Sequence, residues 1–462
     1  MPSMNINDHL RMPEGKTLEF KRDLSSPLPI LKTLTAFANG AGGTLVVGVA
    51  DKTRDVVGVR DALDQEEKLA NWIADGIEPK LAADIEICAW RSIQLLVVHV
   101  FPSALRPHHL RKKGTQAGTY IRIGATNRQA DAPLIASLQR SVLATSFDEE
   151  PLPKLSSEAI DFRVASELFS ERRAMGPKEM ESLGALARVQ RRRVPTVGGL
   201  LLFGKDPVST FPDAWLQCGR FAGETKADIV DHTELRQPLP CLVEAGMDFV
   251  RKHAMRGMAL DGARRVDQWS VPMDAVREAI INALVHADYS LTGVPLRLCI
   301  FDTRIVVESP GFLLPGLTVE DMLEGVSRLR NRVLGRVFGE LGLIEQWGSG
   351  IPRIVATCRK QGLAQPEFKE IATGFQVTLS LVQRDAGAEA SQTDRDVLDF
   401  IRSRPDGAST AEVAQHLHVT ARAARSRMSA LRSRGAVVVV GRSERDPKRR
   451  YFVAGDEAHA GH

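Results

Sequence analysis

The stretch VPMDAVREAIINALVHADYS, Val271 to Ser290, sets a carboxylate, an amide and an imidazole at Glu278, Asn282 and His286, each four residues from the last. In a helix that spacing puts all three on one face. Their neighbours Ala279, Ile280, Ala283 and Leu284 are apolar, so the polar row is partly buried and needs partners, because an unsatisfied buried polar group is costly. The chain must therefore fold a polar groove into a core. An amide there can ligate a Mg²⁺ that bridges nucleotide phosphates, and a carboxylate can orient or deprotonate a water attacking the terminal phosphate. Asn282 is the candidate Mg²⁺ ligand and Glu278 the candidate base.

Two glycine turns follow: ESPGFL with Glu308 and Gly311, and EQWGSGIPRI with Gly348 and Gly350. Glycine permits close backbone approach to a phosphate, and a helix starting near Ile351 would direct its positive end there. Each turn alone is common in loops. Their order after the polar helix and the strand IVVESPG points to one nucleotide site.

The rest of the chain is organised by charge and punctuation. With 462 residues, roughly three domains of about 150 residues are expected, and the net charge of +4 is too small for the whole chain to bind polyanions by composition. Any nucleic-acid footprint has to be local. The small polar run QRDAGAEASQTD, Gln383 to Asp394, reads as a linker, placed at 383–392. A second break is expected in SFDEEPLPKLSS, Ser146 to Ser157. The resulting parts are 1–145, a connecting α/β region 146–270, 271–382, and 393–455. Within the connecting region, TVGGLLLFGKDP at Thr196 to Pro207 reads as a buried strand and ARVQRRRVP before it as a basic helix end. Five scattered cysteines without ligand spacing imply reduced thiols. No run reaches the length of a membrane span and the N-terminus lacks an apolar signal core, so a cytoplasmic location is expected.

In the first part, PLPILKTLTAFANGAGG reads as a helix ending at Asn39 and Gly40, followed by the strand TLVVGVAD and, later, QLLVVHVF. Glu14, Glu19, Lys21 and Asp51 bracket this helix. If LEFK is a strand, Glu19 and Lys21 share a face. Converging carboxylates could hold a divalent cation while the lysine neutralises a phosphate in metal-assisted hydrolysis. A salt-bridge cluster is the alternative.

The last part has the punctuation of three helices and a hairpin. Ser409 or Thr410 can cap the second helix, with Glu412 nearby, and Thr420 the third. The third helix is expected to send Val419, Ala423, Met428 and Leu431 to a core. Arg422, Arg425, Arg427, Arg432 and Arg434, with Lys448, Arg449 and Arg450 at a basic tip, then face DNA. Between Thr393 and Gly455 the local charge is about +6, enough for salt-sensitive binding.

These phrases carry resemblances. EGKTLEFKRD, AFANGAGGTLVVGVAD and GTYIRIGATNRQA, in that order, resemble the Schlafen AlbA-2 domain over roughly the first 145 residues. The resemblance implies nucleic-acid contact. Some members of that family are Mg²⁺- or Mn²⁺-dependent nucleases acting on tRNA or rRNA through a Glu, Glu, Asp triad, to which Glu14, Glu19 and Asp51 would correspond. From Val271 to about Leu381 the chain resembles the GHKL-type ATPase module of RecG-like proteins, with EAIINALVHADY as N box, ESPG as first glycine box, and LRNRVLGRVFGELGLIEQWGSGIPRI as lid and second glycine box. ESPG replaces the usual Asp-x-Gly-x-Gly, so the resemblance implies that Glu308 takes the place of the aspartate that recognises adenine. It assigns Asn282, His286, Glu308, Gly311, Gly348 and Gly350 to ATP and Mg²⁺. No G-x-x-x-x-G-K-[ST] phosphate loop occurs, so no translocating motor is inferred. The last 65 or so residues resemble the winged helix-turn-helix family of bacterial regulators.

The expected fold is α/β and α+β multidomain: an AlbA-2-like α/β domain, a GHKL-like α/β sandwich and a C-terminal winged helix. The expected function is an ATP-binding, DNA-binding regulator of transcription whose nucleotide state modulates nucleic-acid engagement. The alternatives are a Schlafen-like nuclease on tRNA, rRNA or single strands, with a role in phage defence, and a winged-helix protein scaffold. DNA, RNA and ATP are the expected partners, membranes are not, and homo-oligomers are expected by analogy.

Overall fold

The computed structural model describes residues 6–50, 54–91, 93–143, 145–254, 256–261, 264–269, 271–344, 348–381, 392–404, 406–433, 436–440 and 450–453. The chain divides into two compact units, Met1–Ile135 with Ala386–His462, and Ala136–Asp385. Both mix helices with sheets, in keeping with the expected α/β class. Among the described residues no helix is long and apolar enough to cross a membrane.

In the first unit a four-stranded sheet runs in the order Leu18–Lys21, Gly43–Val47, Ile93–Val100, Ala83–Trp90. The first two strands are parallel, which requires a crossover, and the helix Pro27–Asn39 supplies it. Prolines in its first turn cost no hydrogen bond, because those N–H groups have no helical acceptor. The helix buries Ile30, Leu34 and Phe37 against Leu45, Val47, Leu96 and Val98. Asn39 at its end is 1% exposed. Its amide donates to the carbonyls of His108 and Tyr120, both at 2.9 Å, and its oxygen accepts the His108 N–H at 2.7 Å. That asparagine is a fully satisfied strut between the helix and the strand Tyr120–Ile123.

The C-terminal segment of the same unit forms helices Gln392–Arg402, Thr410–His416 and Ala421–Ser433, then an antiparallel pair Val437–Val440 and Arg450–Val453. Ser409 and Glu412 make the reciprocal cap expected of them, and the Thr420 hydroxyl accepts the Ala423 N–H at 3.3 Å. The core-facing side of the last helix differs from expectation. Ala424, Met428 and Leu431 are buried, whereas Val419 is 42% exposed and Ala423 is exposed. Val419 precedes the helix, and Ala424, not Ala423, lies one turn from Met428. The strand Val437–Val440 also pairs in parallel with Asp55–Val56, giving one three-stranded sheet built from both ends of the chain.

The second unit holds a six-stranded sheet in the order Asp228–Leu235, Leu216–Ala222, Leu296–Ile300, Arg304–Pro310, Gly374–Ser380, Glu367–Ile371. Helices Leu239–His253 and Met273–His286 pack into its main core. Two sequence expectations fail here. Val197–Phe203 is a buried helix, not a strand. A short apolar run is ambiguous between the two, and the Thr196 hydroxyl, which accepts the Gly199 N–H at 3.0 Å, caps it as a helix. The basic stretch before it is a hairpin, Leu186–Val189 with Arg192–Pro195. Arg188 and Arg193 stand opposite one another there and both bind Glu181, which removes their repulsion.

The expected break at Ser146–Ser157 lies inside this unit. Asp148 is fully buried and its carboxylate accepts the N–H groups of Arg332 and Leu334 at 3.1 and 2.9 Å. It caps the helix Arg332–Glu340 from a distant part of the chain. Burial raises its carboxyl above the ordinary range against the pull of those bonds. The five cysteines are unpaired, and burial pushes the Cys218 thiol up to about 12, as for an inert core thiol.

Candidate functional site

The helix Met273–His286 turns its polar row into a cavity of about 500 Å³ in the second unit. Glu278, Asn282 and His286 line it together, along with Gly311, Gly348 and Gly350. The Asn282 amide donates to the Glu278 carboxylate at 3.1 Å, and Arg353 approaches the same carboxylate at 3.9 Å. Glu278 is only 8% exposed, so both contacts help hold a charge in a largely dry place.

The glycines are there because backbone must pass where side chains would not fit. A Cβ on Gly350, at the start of the helix Gly350–Lys360, would lie 2.3 Å from the Glu278 carboxylate and 3.2 Å from the Asn282 amide. Gly311 has φ +96° and faces Asp288, whose Cβ would be 2.6 Å from any added methyl. The polar helix, the first glycine turn and the second are in this way fitted to one another.

Glu308 does not join them. In the strand Arg304–Pro310 side chains alternate, and Val307 and Ser309 line the cavity while Glu308 takes the other face. There it contacts Lys226 at 3.1 Å, Arg297 at 3.6 Å and Gln376 at 3.2 Å, the last two from the adjacent strands. The cavity face of those strands is Val307, Ser309, Phe375 and Val377. The polar side chain that this strand turns to the cavity is Ser309.

The segment around Arg330 supplies contacts that no glycine or helix motif marks. Arg330 donates to the His286 carbonyl at 3.0 Å, to the Asp288 carboxylate at 3.1 Å and to the Phe312 carbonyl. Asn331 donates to the carbonyls of Val285 and Ala287 at 2.8 and 2.7 Å. Together they satisfy the last carbonyls of the polar helix, which have no partner within it. Arg328, Arg330, Arg332 and Arg336 all line the cavity. A signal was present: these four arginines fall in a stretch without a carboxylate between Glu324 and Glu340.

Burial would raise the Asp288 carboxyl, but Arg330, Ser290 and Ser137 outweigh it and hold the group below its ordinary range. Burial, reinforced by Arg330, brings His286 down from 6.5 to about 4, so its ring is neutral at pH 7. Between those two values the unfolded chain binds the extra proton. Stability is therefore fully present above pH 6.5 and is lost as pH falls toward 4, by on the order of 2–3 kcal/mol. Urea unfolding at pH 7.5 and pH 5 is expected to differ by less in His286→Gln than in the parent.

In the first unit Glu19 is 7% exposed between two cations, Lys21 at 2.6 Å and the Arg122 guanidinium. Arg122 also donates to the carbonyls of Gly15 and Leu18. Glu14 accepts the Phe20 N–H at 2.8 Å. Asp51 lies outside the described residues, and no group of three or more His, Cys, Asp or Glu able to hold a metal is found among the described ones. On the C-terminal helix Arg422 and Arg425 are exposed. Arg427 lies 3.7 Å from Asp394, Arg432 pairs with Asp55 at 3.2 Å, and Arg450 pairs with Glu412. Arg434, Lys448 and Arg449 are outside the described residues.

Comparisons with known proteins find two family matches along the chain. Residues 14–131 match the family model "Schlafen, AlbA_2" and residues 293–379 match "Putative ATP-dependent DNA helicase recG C-terminal". The second match begins after the polar helix, which the fold brings to it. No curated protein matches the chain. Among solved structures, the DIP2311 protein from Corynebacterium diphtheriae is similar at 19% identity, covering 95% of this chain and 92% of that one, with a TM-score of 0.44. The N-terminal domain of a "Putative ATP-dependent DNA Helicase RecG-related Protein" from Nitrosomonas europaea is similar at 25% identity, covering 28% of this chain and 94% of that one, with a TM-score of 0.23. The chain thus carries a Schlafen AlbA_2 domain near its N-terminus and a RecG-C-terminal-type domain in its second half.

Proposed function

We propose that the protein is an ATP-binding, nucleic-acid-binding regulator in which nucleotide in the second unit alters how the chain engages DNA. One observation carries the nucleotide reading: the polar row and both glycine turns, far apart along the chain, line one cavity of ligand size. The residues fit a Mg²⁺-nucleotide. The Asn282 side-chain oxygen would ligate the metal, Glu278 would orient a water, and Arg328 would balance phosphate charge. When bound, Mg²⁺ would neutralise phosphate charge. Ser309, not Glu308, would meet the ligand at the first glycine turn. The exposed Arg422 and Arg425, on a helix that follows a short turn in helix-turn-helix order, support the DNA reading.

Calorimetric titration with ATP tests the site. Asn282→Ala is expected to lose about tenfold or more in affinity with Mg²⁺ and little in EDTA; equal affinities with Mg²⁺ would remove the assignment. Linkage then requires that Mg-ATP and a DNA duplex change each other's affinity by one factor. Cleavage of tRNA or rRNA is the weaker reading, because Glu19 is already balanced by Lys21 and Arg122. That arrangement already satisfies the Glu19 carboxylate without a metal.

A further inference from the structure

The arginines of the helix Ala421–Ser433 are of two kinds. Arg422, Arg425 and Ser429 follow one another at steps of three and four on the outward face and are exposed. Arg432 stands one turn after the buried Met428, and its side chain is 17% exposed. Its guanidinium reaches the carboxylate of Asp55, which is 4% exposed, at 3.2 Å and across 377 residues of sequence. Around that pair the strand Val437–Val440 adds in parallel to Asp55–Val56. Val438 packs into a cluster with Leu18, Phe20, Val56 and Trp90, and the Arg91 guanidinium lies 3.5 Å from the centre of the Phe452 ring.

On the other side of this contact the Ala50 N–H donates to the Asp55 carbonyl at 3.0 Å and the Arg54 N–H to the Ala50 carbonyl at 2.7 Å. The C-terminal strand therefore braces Asp55–Val56 beside Ala50. A buried arginine facing a buried aspartate is worth most where it fixes geometry, since either charge left alone in such a place is heavily penalised.

We propose that Arg432 is a positioning residue: it anchors the C-terminal helix on the N-terminal domain at Asp55, so that the exposed half of that helix is held in one orientation for nucleic acid. This rests on the DNA reading above only for its consequence, not for the anchor itself. A phosphate contact and an anchor differ in their salt dependence. Losing a phosphate contact lowers the slope of log K against log salt by about one, whereas losing an anchor lowers affinity at every salt concentration alike.

The test is fluorescence anisotropy of a labelled random-sequence DNA duplex over a KCl series, paired with hydrogen exchange of the full-length protein. Arg422→Ala and Arg425→Ala are expected to reduce the slope by about one each. Arg432→Ala and the milder Asp55→Asn are expected to keep the slope, weaken binding several-fold and speed exchange in Val437–Val440, with the double variant no worse than either single one. A reduced slope in Arg432→Ala with unchanged exchange in Val437–Val440 would overturn the anchor. If the parent binds no duplex at low salt, the DNA reading fails by itself. Exchange then still decides the anchor: faster exchange in both single variants upholds it, and unchanged exchange rejects it.

Discussion

Arg330→Met is expected to lower the unfolding free energy of the Ala136–Asp385 unit by about 3–5 kcal/mol, the cost of stranding a buried charge by removing its partner. Arg330 and Asp288 have side chains only 12% and 5% exposed. The substitution leaves the Asp288 carboxylate with Ser137 and Ser290 alone, and it also removes donors from the His286 and Phe312 carbonyls. The Asp288 carboxyl, now held below its ordinary range, would rise. A depressed carboxyl contributes stability above its unfolded value that is lost as pH falls through its folded value. The variant should therefore begin to unfold at a higher pH on acidification. Urea titrations at neutral and mildly acidic pH measure both effects, and a change below about 1 kcal/mol would mean that the clamp is not what ties Arg330 and its neighbours to the polar helix.

Gly350→Ala is expected to weaken Mg-ATP binding by about tenfold or more while leaving the melting temperature nearly unchanged. The methyl would fall 2.3 Å from the Glu278 carboxylate, so that carboxylate must move and its 3.1 Å bond from Asn282 must lengthen or break. Misplacing reacting or ligating groups by about 1 Å is enough to cost two orders of magnitude in favourable cases. Alanine at the same time narrows the unfolded ensemble relative to glycine, worth about 0.4–1 kcal/mol, which offsets local strain. Titration calorimetry beside a thermal melt separates the two, and an unaltered affinity would show that the ligand lies elsewhere in the cavity.

Much of the site was legible in the chain because it is local. Steps of four made the polar row of Glu278, Asn282 and His286, and the row does line the cavity with Gly311, Gly348 and Gly350. The helix between two parallel strands in the first unit was legible for the same reason, from its prolines, its apolar spacing and its stop at Asn39. What failed was what periodicity leaves undetermined. Val197–Phe203 is apolar at every position, so no period marks it as helix or strand, and only the cap at Thr196 decides. The resemblance implies a site role for Glu308, yet alternation along a strand says only that Ser309 and Val307 share a face, not which face the cavity covers.

The sequence by itself determined which residues travel together: the polar row, the glycine turns, the order of modules and the clustering of charge after Thr420. Tertiary structure alone decided which charges are matched and which are offered to a ligand. Asp148 became a buried helix cap, Arg330 a clamp on the polar helix, and Arg432 a partner of Asp55. Their partners lie 42 to 377 residues away. Spacing reports the neighbours along one element, whereas a charge acquires its role from groups on other elements, and only packing brings those within range.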